Sequence, residues 1–261
     1  MHARLPGGQE LLVHPDAGLL AEVTAGRLVA ALVDAIALRG TASVVLTGGR
    51  VGTDVLRRLA RSPAREAVEW AQVDVWWGDE RFVPSADADR NERQAREALL
   101  DGLRLDPSRV HPMGSTDTHE TPEDAADAYA AELAASPGAG PTNGPSGGIA
   151  VPAFDVVLLG TGEEGHTGSI FPGAPAAHEH ARSVVGVRGC PKPPPQRVTL
   201  TLPAFAAARQ AWFVVAGVDK AAAVAAVVAG AGPLQVPAAG VRARERTLWL
   251  VDRAAASRLL S

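Results

Sequence analysis

The stretch Asp155-Val-Val-Leu-Leu-Gly160-Thr-Gly-Glu-Glu-Gly-His166-Thr-Gly-Ser-Ile-Phe-Pro-Gly173 sets the fold class. Its apolar run, Val156 to Leu159, reads as a buried strand. The run ends in a turn dense in glycine that carries Glu163, Glu164 and His166. Glycines let backbone N–H groups come close to a ligand, and a histidine titrates near neutral pH, so the turn suits both binding and catalysis. In α/β proteins the carboxyl ends of strands are where ligands sit.

Outward from this strand, apolar runs and helical periodicity alternate. Upstream, residues 16–38 repeat apolar positions with helical spacing (Leu19, Leu20, Val23, Leu28, Leu32, Ile36), and Asp16 stands where an N-cap belongs. Ser43–Leu46 is a short strand that runs into Thr47-Gly48-Gly49, followed by a helix from about residue 52 to 60. Val73–Trp77 is the next strand and opens into Gly78-Asp79-Glu80-Arg81. Helices are predicted over about 90–101 and 122–135, the second started by Thr121 and Pro122. Downstream, strands are predicted near 155–160, 183–187, 197–202, 211–216 and 247–251, with helices near 219–229 and 252–260. This rhythm predicts one three-layer α/β/α domain over 1–261, its mostly parallel sheet covered on both faces. The Pro/Gly/Ser-rich residues 136–148 read as a flexible surface loop rather than a domain linker, because the rhythm resumes unchanged after them.

Composition narrows the function. The 261 residues are 46% apolar and 21% charged, and a net charge of −4 with scattered arginines gives no footprint for nucleic acid. No apolar run reaches the roughly 18 residues of a membrane span, and the first eight residues lack a signal-like apolar stretch, so the expected location is cytoplasmic. The single cysteine, Cys190, excludes an intrachain disulfide and a multi-cysteine metal site. Only two lysines, Lys192 and Lys220, stand against 23 arginines, which makes each lysine more notable. An apolar helix face serves a core and an interface alike, so the sequence assigns no oligomeric state.

Four motifs sit at strand ends. Gly48, Gly49 and Arg50 at a helix start offer amides to a phosphate, although a tight turn without a ligand fits the same letters. Arg81 carries a planar fork suited to phosphate, which a flanking carboxylate can hold; on spacing alone, a surface ion pair is the simpler account. Gly160-Thr-Gly162-Glu-Glu-Gly165 formally matches a dinucleotide fingerprint, with Glu179 near its expected acidic position. Pro172, Gly173 and Pro175 preclude the long helix that fingerprint requires, so a nicotinamide or flavin is rejected. His166 suits a general base, and nothing near it has metal-ligand spacing. Lys220, after Gly217-Val-Asp, opens a helix where the dipole disfavours a cation, which points to an anion. His178, His180 and Arg197 carry no signal of their own.

Taken together and in this order, the motifs resemble the 6-phosphogluconolactonase family. The resemblance rests on Thr47-Gly-Gly, on Trp77-Gly-Asp-Glu-Arg-Phe-Val-Pro84 with Asn91 after it, and on Leu159 to Gly173. It continues through Arg197-Val-Thr-Leu-Thr-Leu-Pro203, Gly217-Val-Asp-Lys220 and Leu248-Trp-Leu-Val-Asp252. It implies a modified Rossmann-like α/β/α fold shared with glucosamine-6-phosphate deaminases. It also implies hydrolysis of 6-phospho-D-glucono-1,5-lactone in the oxidative pentose phosphate pathway, with no cofactor and no metal. His166 and Glu164 are the implied catalytic pair. Gly48, Gly49, Arg50, Asp79, Arg81, Asn91, Arg197 and Lys220 are the implied substrate and phosphate contacts, with glycine-turn amides as a candidate oxyanion hole. Two departures stand out: Glu164 where the family usually has Asp, and Arg50-Val51 where hydroxyl residues are usual. The alternatives are a deaminase or isomerase, against which Arg81 and Ser169-Ile-Phe-Pro172 argue, and a non-catalytic sugar-phosphate sensor. Ser169 lacks the elbow sequence of a serine nucleophile.

Overall fold

The computed structural model describes residues 2–141 and 148–259. Its strands are β1 (His2–Arg4), β2 (Glu10–His14), β3 (Ala42–Leu46), β4 (Val73–Trp77), β5 (Asp79–Arg81), β6 (Val110–His111), β7 (Gly140–Pro141), β8 (Ala150–Val151), β9 (Val156–Leu159), β10 (Val184–Val187), β11 (Arg197–Leu200), β12 (Gln210–Val215) and β13 (Arg246–Asp252). The α-helices are α1 (Ala17–Arg39), α2 (Gly49–Arg61), α3 (Asn91–Ala98), α4 (Pro122–Ala135), α5 (Leu202–Ala206) and α6 (Ala221–Val228).

Eight strands form one sheet in the order β1-β2-β13-β12-β9-β3-β4-β6, parallel throughout except at the β1–β2 edge. Alternate residues of each strand enter separate cores. Val45, Trp76, Val157, Leu159, Phe213 and Trp249 pack with α4, α5, α6, β10 and β11 on one face. Val44, Leu46, Val75, Trp77, Leu158, Trp212 and Leu250 pack with α1, α2 and α3 on the other. That alternation makes the three layers, and it explains why the strands read as unbroken apolar runs.

Helix starts follow local chemistry. Asp16 accepts from the Leu19 amide at 2.8 Å, and Thr121 with Asp124 closes a capping box ahead of Pro122. Such a cap contributes about 1 kcal/mol.

Three expectations are corrected. Segments 184–187 and 197–200 leave the main sheet and form an antiparallel sheet with β5, in the order β10-β11-β5. The helix expected over 252–260 is a turn followed by a short 3-10 segment at Ser257–Leu259; so few residues give one hydrogen-bonded turn and little propagation. The helix expected over 90–101 ends at Ala98 and continues as a 3-10 turn at Leu100–Gly102. In the predicted flexible loop, Gly140–Pro141 pairs with Ala150–Val151, and residues 142–147 lie outside the described part. Among the described residues no helix is long and apolar enough to cross a membrane.

Strand order places the site. From β3 the chain steps outward to β4 and β6; from β9 it steps the other way to β12 and β13. The reversal falls between β3 and β9, which pair only at Val44–Val156 and Val45–Val157 and then part. A crevice at the carboxyl ends of such strands is where α/β folds take ligands.

Candidate active site

The loops leaving β3, β4, β9 and β12 enclose a cavity of about 230 Å³ at this crevice. Gly48, Gly49, Arg50, Asp79, Arg81, Asn91, His166, Arg197 and Lys220 all line it. Glu164 stands behind His166, with Oε1 3.0 Å from the ring Nδ1. Every candidate residue drawn from the sequence therefore falls at one place.

The β3 loop is shaped for close approach. Gly49 has φ +81°, and a Cβ on Gly48 would lie 1.8 Å from Asn91 Oδ1, so both positions require glycine. No side chain caps α2, whose first amides open towards the cavity with the partial positive charge of a helix start.

The β4 loop is organised by a residue that the sequence reading left unassigned. Glu80 is fully buried, and its Oε1 accepts from the amides of Arg81 at 2.8 Å and Asn91 at 2.7 Å. Its Oε2 accepts from the Glu92 amide at 2.8 Å, so this carboxylate caps α3 from outside the helix. Arg90, also buried, lies 3.8 Å away. Burial outweighs these partners and pushes the Glu80 carboxyl up to about 7. No local pattern marks such a residue, because apart from the adjacent Arg81 amide its hydrogen-bond partners lie eleven and twelve positions on.

Arg81 is aimed by neutral oxygens rather than by the flanking carboxylate that the sequence suggested. Its Nη1 donates to Asn91 Oδ1 and to the Asp89 carbonyl, both at 2.5 Å. Asn91 in turn donates to the Asp79 carbonyl at 2.8 Å. Asp79 instead accepts from the hydroxyl of Ser169 at 2.7 Å, while the Ser169 amide donates to Thr199. Ser169 is thus a buried support for Asp79, not a nucleophile. Arg197 points its Nε and Nη2 at the carbonyls of Pro194, Lys192 and Pro193, and it is mostly buried. Lys220 stands in a 3-10 turn just ahead of α6, 3.1 Å from Asp219.

The β9 turn holds the histidine. No helix starts directly after Gly165; the chain passes through turns to a short 3-10 segment at Pro175–His178, unlike the long helix a dinucleotide fingerprint requires. The amides of Gly162 and Gly165 bond to His166 and Gly162 carbonyls, so these two are not the oxyanion donors expected from the sequence. A Cβ on Gly162 would fall 2.0 Å from His166 Nδ1, so glycine there makes room for the ring. Burial lowers the His166 pKa, and the charge of Glu164 opposes that shift without reversing it. The ring is therefore neutral at neutral pH, and its Nε2 is the nitrogen not engaged by Glu164. The 3.0 Å approach of Glu164 lies off the N–H axis, which makes the pairing chiefly electrostatic. The extra methylene of Glu164 still brings its carboxylate to the ring. Among the described residues no cluster of three histidine, cysteine or acidic side chains is arranged to hold a metal.

The family described as glucosamine-6-phosphate isomerases/6-phosphogluconolactonase matches residues 15–249. The chain is 54% identical to the 6-phosphogluconolactonase of Streptomyces coelicolor over 252 residues, covering 96% of this chain and 94% of that one. Against the 6-phosphogluconolactonase of Mycobacterium tuberculosis it is 46% identical over 249 residues, with 95% and 98% covered. The solved 6-phosphogluconolactonase of Trypanosoma brucei superimposes with a TM-score of 0.82 at 27% identity, covering 99% and 100% of the two chains. On this evidence the chain belongs to the family of glucosamine-6-phosphate isomerases and 6-phosphogluconolactonases.

Proposed function

We propose that this enzyme hydrolyses 6-phospho-D-glucono-1,5-lactone to 6-phosphogluconate, the lactone-opening step of the oxidative pentose phosphate pathway. The observation that carries this reading is a mostly buried imidazole, backed by a carboxylate 3.0 Å away, in the same cavity as Arg50, Arg81, Arg197 and Lys220. Such a cavity takes a substrate with a dianionic end and an electrophilic end.

In this reading the phosphate meets the uncapped start of α2 and the side chains of Arg81 and Lys220. Asp79, fixed by Ser169, is an acceptor for sugar hydroxyls rather than a phosphate ligand. His166 Nε2 takes a proton from water as the water oxygen bonds to the lactone carbonyl carbon. The tetrahedral intermediate collapses by breaking the bond to the ring oxygen, which receives that proton from the imidazolium. Glu164 stabilises the imidazolium while it exists. A lactone is an activated ester, so no covalent nucleophile is needed. A positioned base of this kind contributes roughly 10²–10⁴ in rate.

The test follows the decay of freshly made lactone with and without the enzyme. Replacement His166→Ala is expected to lower kcat at least about a hundredfold with KM nearly unchanged. Near-normal turnover in that variant removes His166 from the mechanism. Ammonia release from glucosamine 6-phosphate, without lactone hydrolysis, replaces the reading with deamination.

A further inference from the structure

Lys192 meets the catalytic turn at Glu164 and is not among the residues that line the cavity. Its Nζ lies 3.1 Å from Glu164 Oε1, donates to Oε2 at 3.2 Å, and is 3.9 Å from Glu163 Oε1. The Glu164 Oε1 is therefore shared by an ammonium and the Nδ1 of His166, 3.0 Å away. The loop that carries Lys192 is itself braced. Three consecutive carbonyls, of Lys192, Pro193 and Pro194, converge on the guanidinium of Arg197, and the Cys190 amide closes the loop on the Pro195 carbonyl at 3.0 Å. Arg197 thus links strand β11, which lines the cavity, to the placement of Lys192.

Glutamate has one more rotatable bond than aspartate, so holding it in one place costs more rotamer freedom. A carboxylate beside an imidazole also favours the protonated ring, which is the wrong form for a base. An ammonium held against that carboxylate answers both needs. We propose that Lys192 is a positioning residue that anchors the long Glu164 side chain against His166 Nδ1 and shares its negative charge. The inference rests on His166 acting as the base.

The charges facing His166 come from several elements. Glu164 and Glu163 share its turn, Asp79 approaches from the β4 loop, and Lys192 from the braced loop. Arg197, Arg81, Arg50 and Lys220 stand across the cavity. Of these, Glu164 and Asp79 favour the imidazolium, while Lys192 opposes it. Removing Lys192 leaves Glu164 unanswered, so the ring holds its proton to higher pH and the acid limb of kcat/KM moves up.

The experiment compares the enzyme with Lys192→Met and Lys192→Arg by NMR titration of the His166 ring and by the pH profile of kcat/KM. Lys192→Met is expected to raise the ring's titration midpoint and carry the acid limb with it. Relative to the plateau, kcat/KM on that limb then drops about threefold or more. KM on the plateau stays within about twofold, and Lys192→Arg restores both readouts. An unmoved titration overturns the proposal, and so does a raised KM with the limb in place, which would put Lys192 on the phosphate instead. The NMR readout separates this inference from the base assignment. A shifted midpoint in an enzyme whose His166→Gln variant still turns over sinks only the base; an unmoved midpoint with a dead His166→Gln sinks only the role of Lys192.

Discussion

Each end of the parallel strands opens into a charged cleft, and the two treat their charges differently. At the carboxyl end, Arg81 and Arg197 donate to neutral oxygens, so their charges remain available to a ligand. At the amino end lies a larger cavity, about 600 Å³, lined by Arg39, Arg109, Arg209, His111, Asp74 and Asp155 among others. There the cations face acids. Arg39 is 2.7 Å from Asp155, Arg109 is 2.8 Å from Asp74, and Arg209 is 2.8 Å from Glu245. Neither size nor the number of charges marks the functional cleft. What marks it is the pair Arg81 and Arg197, aimed by neutral partners at the point where strand order reverses, although Lys220 there does face an acid, Asp219.

The sharpest way to break this comparison is to remove one cation from each end. At the carboxyl end, Arg81→Ala is expected to delete the proposed charge-assisted contact to the phosphate, worth about 1.5–3 kcal/mol, or roughly ten- to a hundredfold. The loss is expected in KM more than in kcat, measured on the lactone against its phosphate-free analogue, for which the variant and the parent enzyme behave alike. An unchanged KM for the phosphorylated substrate takes Arg81 out of recognition.

At the amino end the expected loss is in stability alone. Asp155 ties the starts of β9 and β3 together: its Oδ2 accepts from the Ser43 amide at 2.8 Å, and its own amide donates to the Ser43 carbonyl at 3.1 Å. This clamp holds the strands that part at their other ends to form the crevice. Replacement Asp155→Ala strands the Ser43 amide and the partly exposed Arg39, while Arg209 keeps Glu245, a cost of about 1–3 kcal/mol after allowance for solvent. Thermal unfolding should fall by roughly 2–4 °C per kcal/mol while KM stays within about twofold. A KM shift as large as that of Arg81→Ala would show that the two ends are not separable.

The sequence made one side of this comparison far more legible than the other. Strands such as Val73–Trp77 and helices with capped starts at Asp16 and Thr121 are local events, decided by residues within a few positions of each other. The edge strands 2–4 and 10–14 were missed, as was the departure of 184–187 and 197–200 into a second sheet. Their partner, β5, is Asp79-Glu80-Arg81, which has no apolar signature. In the site, His166, Glu164, Arg81 and Lys220 were readable because glycine-bearing turns at strand ends announce them, whereas Asn91 entered only through the family resemblance. Glu80, Arg90 and the support role of Ser169 were not, because each works through a partner brought near only by folding. Lys192 had one faint signal, the rarity of lysine in a chain that otherwise uses arginine. The paired arginines of the amino end gave none, since an ion pair across the sheet leaves no spacing in the chain.

The smallest effect belongs to His111, and it tests whether the amino end is as fully answered as its geometry indicates. The ring stacks on Trp76 at 3.7 Å, with Nδ1 2.6 Å from Glu132 and Nε2 3.4 Å from Asp74. Burial by itself lowers its pKa, but the hydrogen bonds and charges of Asp74 and Glu132 outweigh that and hold it above the usual histidine value of 6.5. A raised folded-state pKa means that the imidazolium adds stability below the unfolded value and that this contribution is lost as pH rises through the folded one. Stability attributable to His111 is therefore present in mildly acid solution and gone in alkaline solution. Replacement His111→Phe keeps the stack on Trp76 and deletes the charge, so its denaturation midpoint should trail the parent's at pH 6 and approach it at pH 8.5. A gap that is constant across that range would assign the role of His111 to packing, and Asp74 and Glu132 would then be answered by Arg109 and solvent instead.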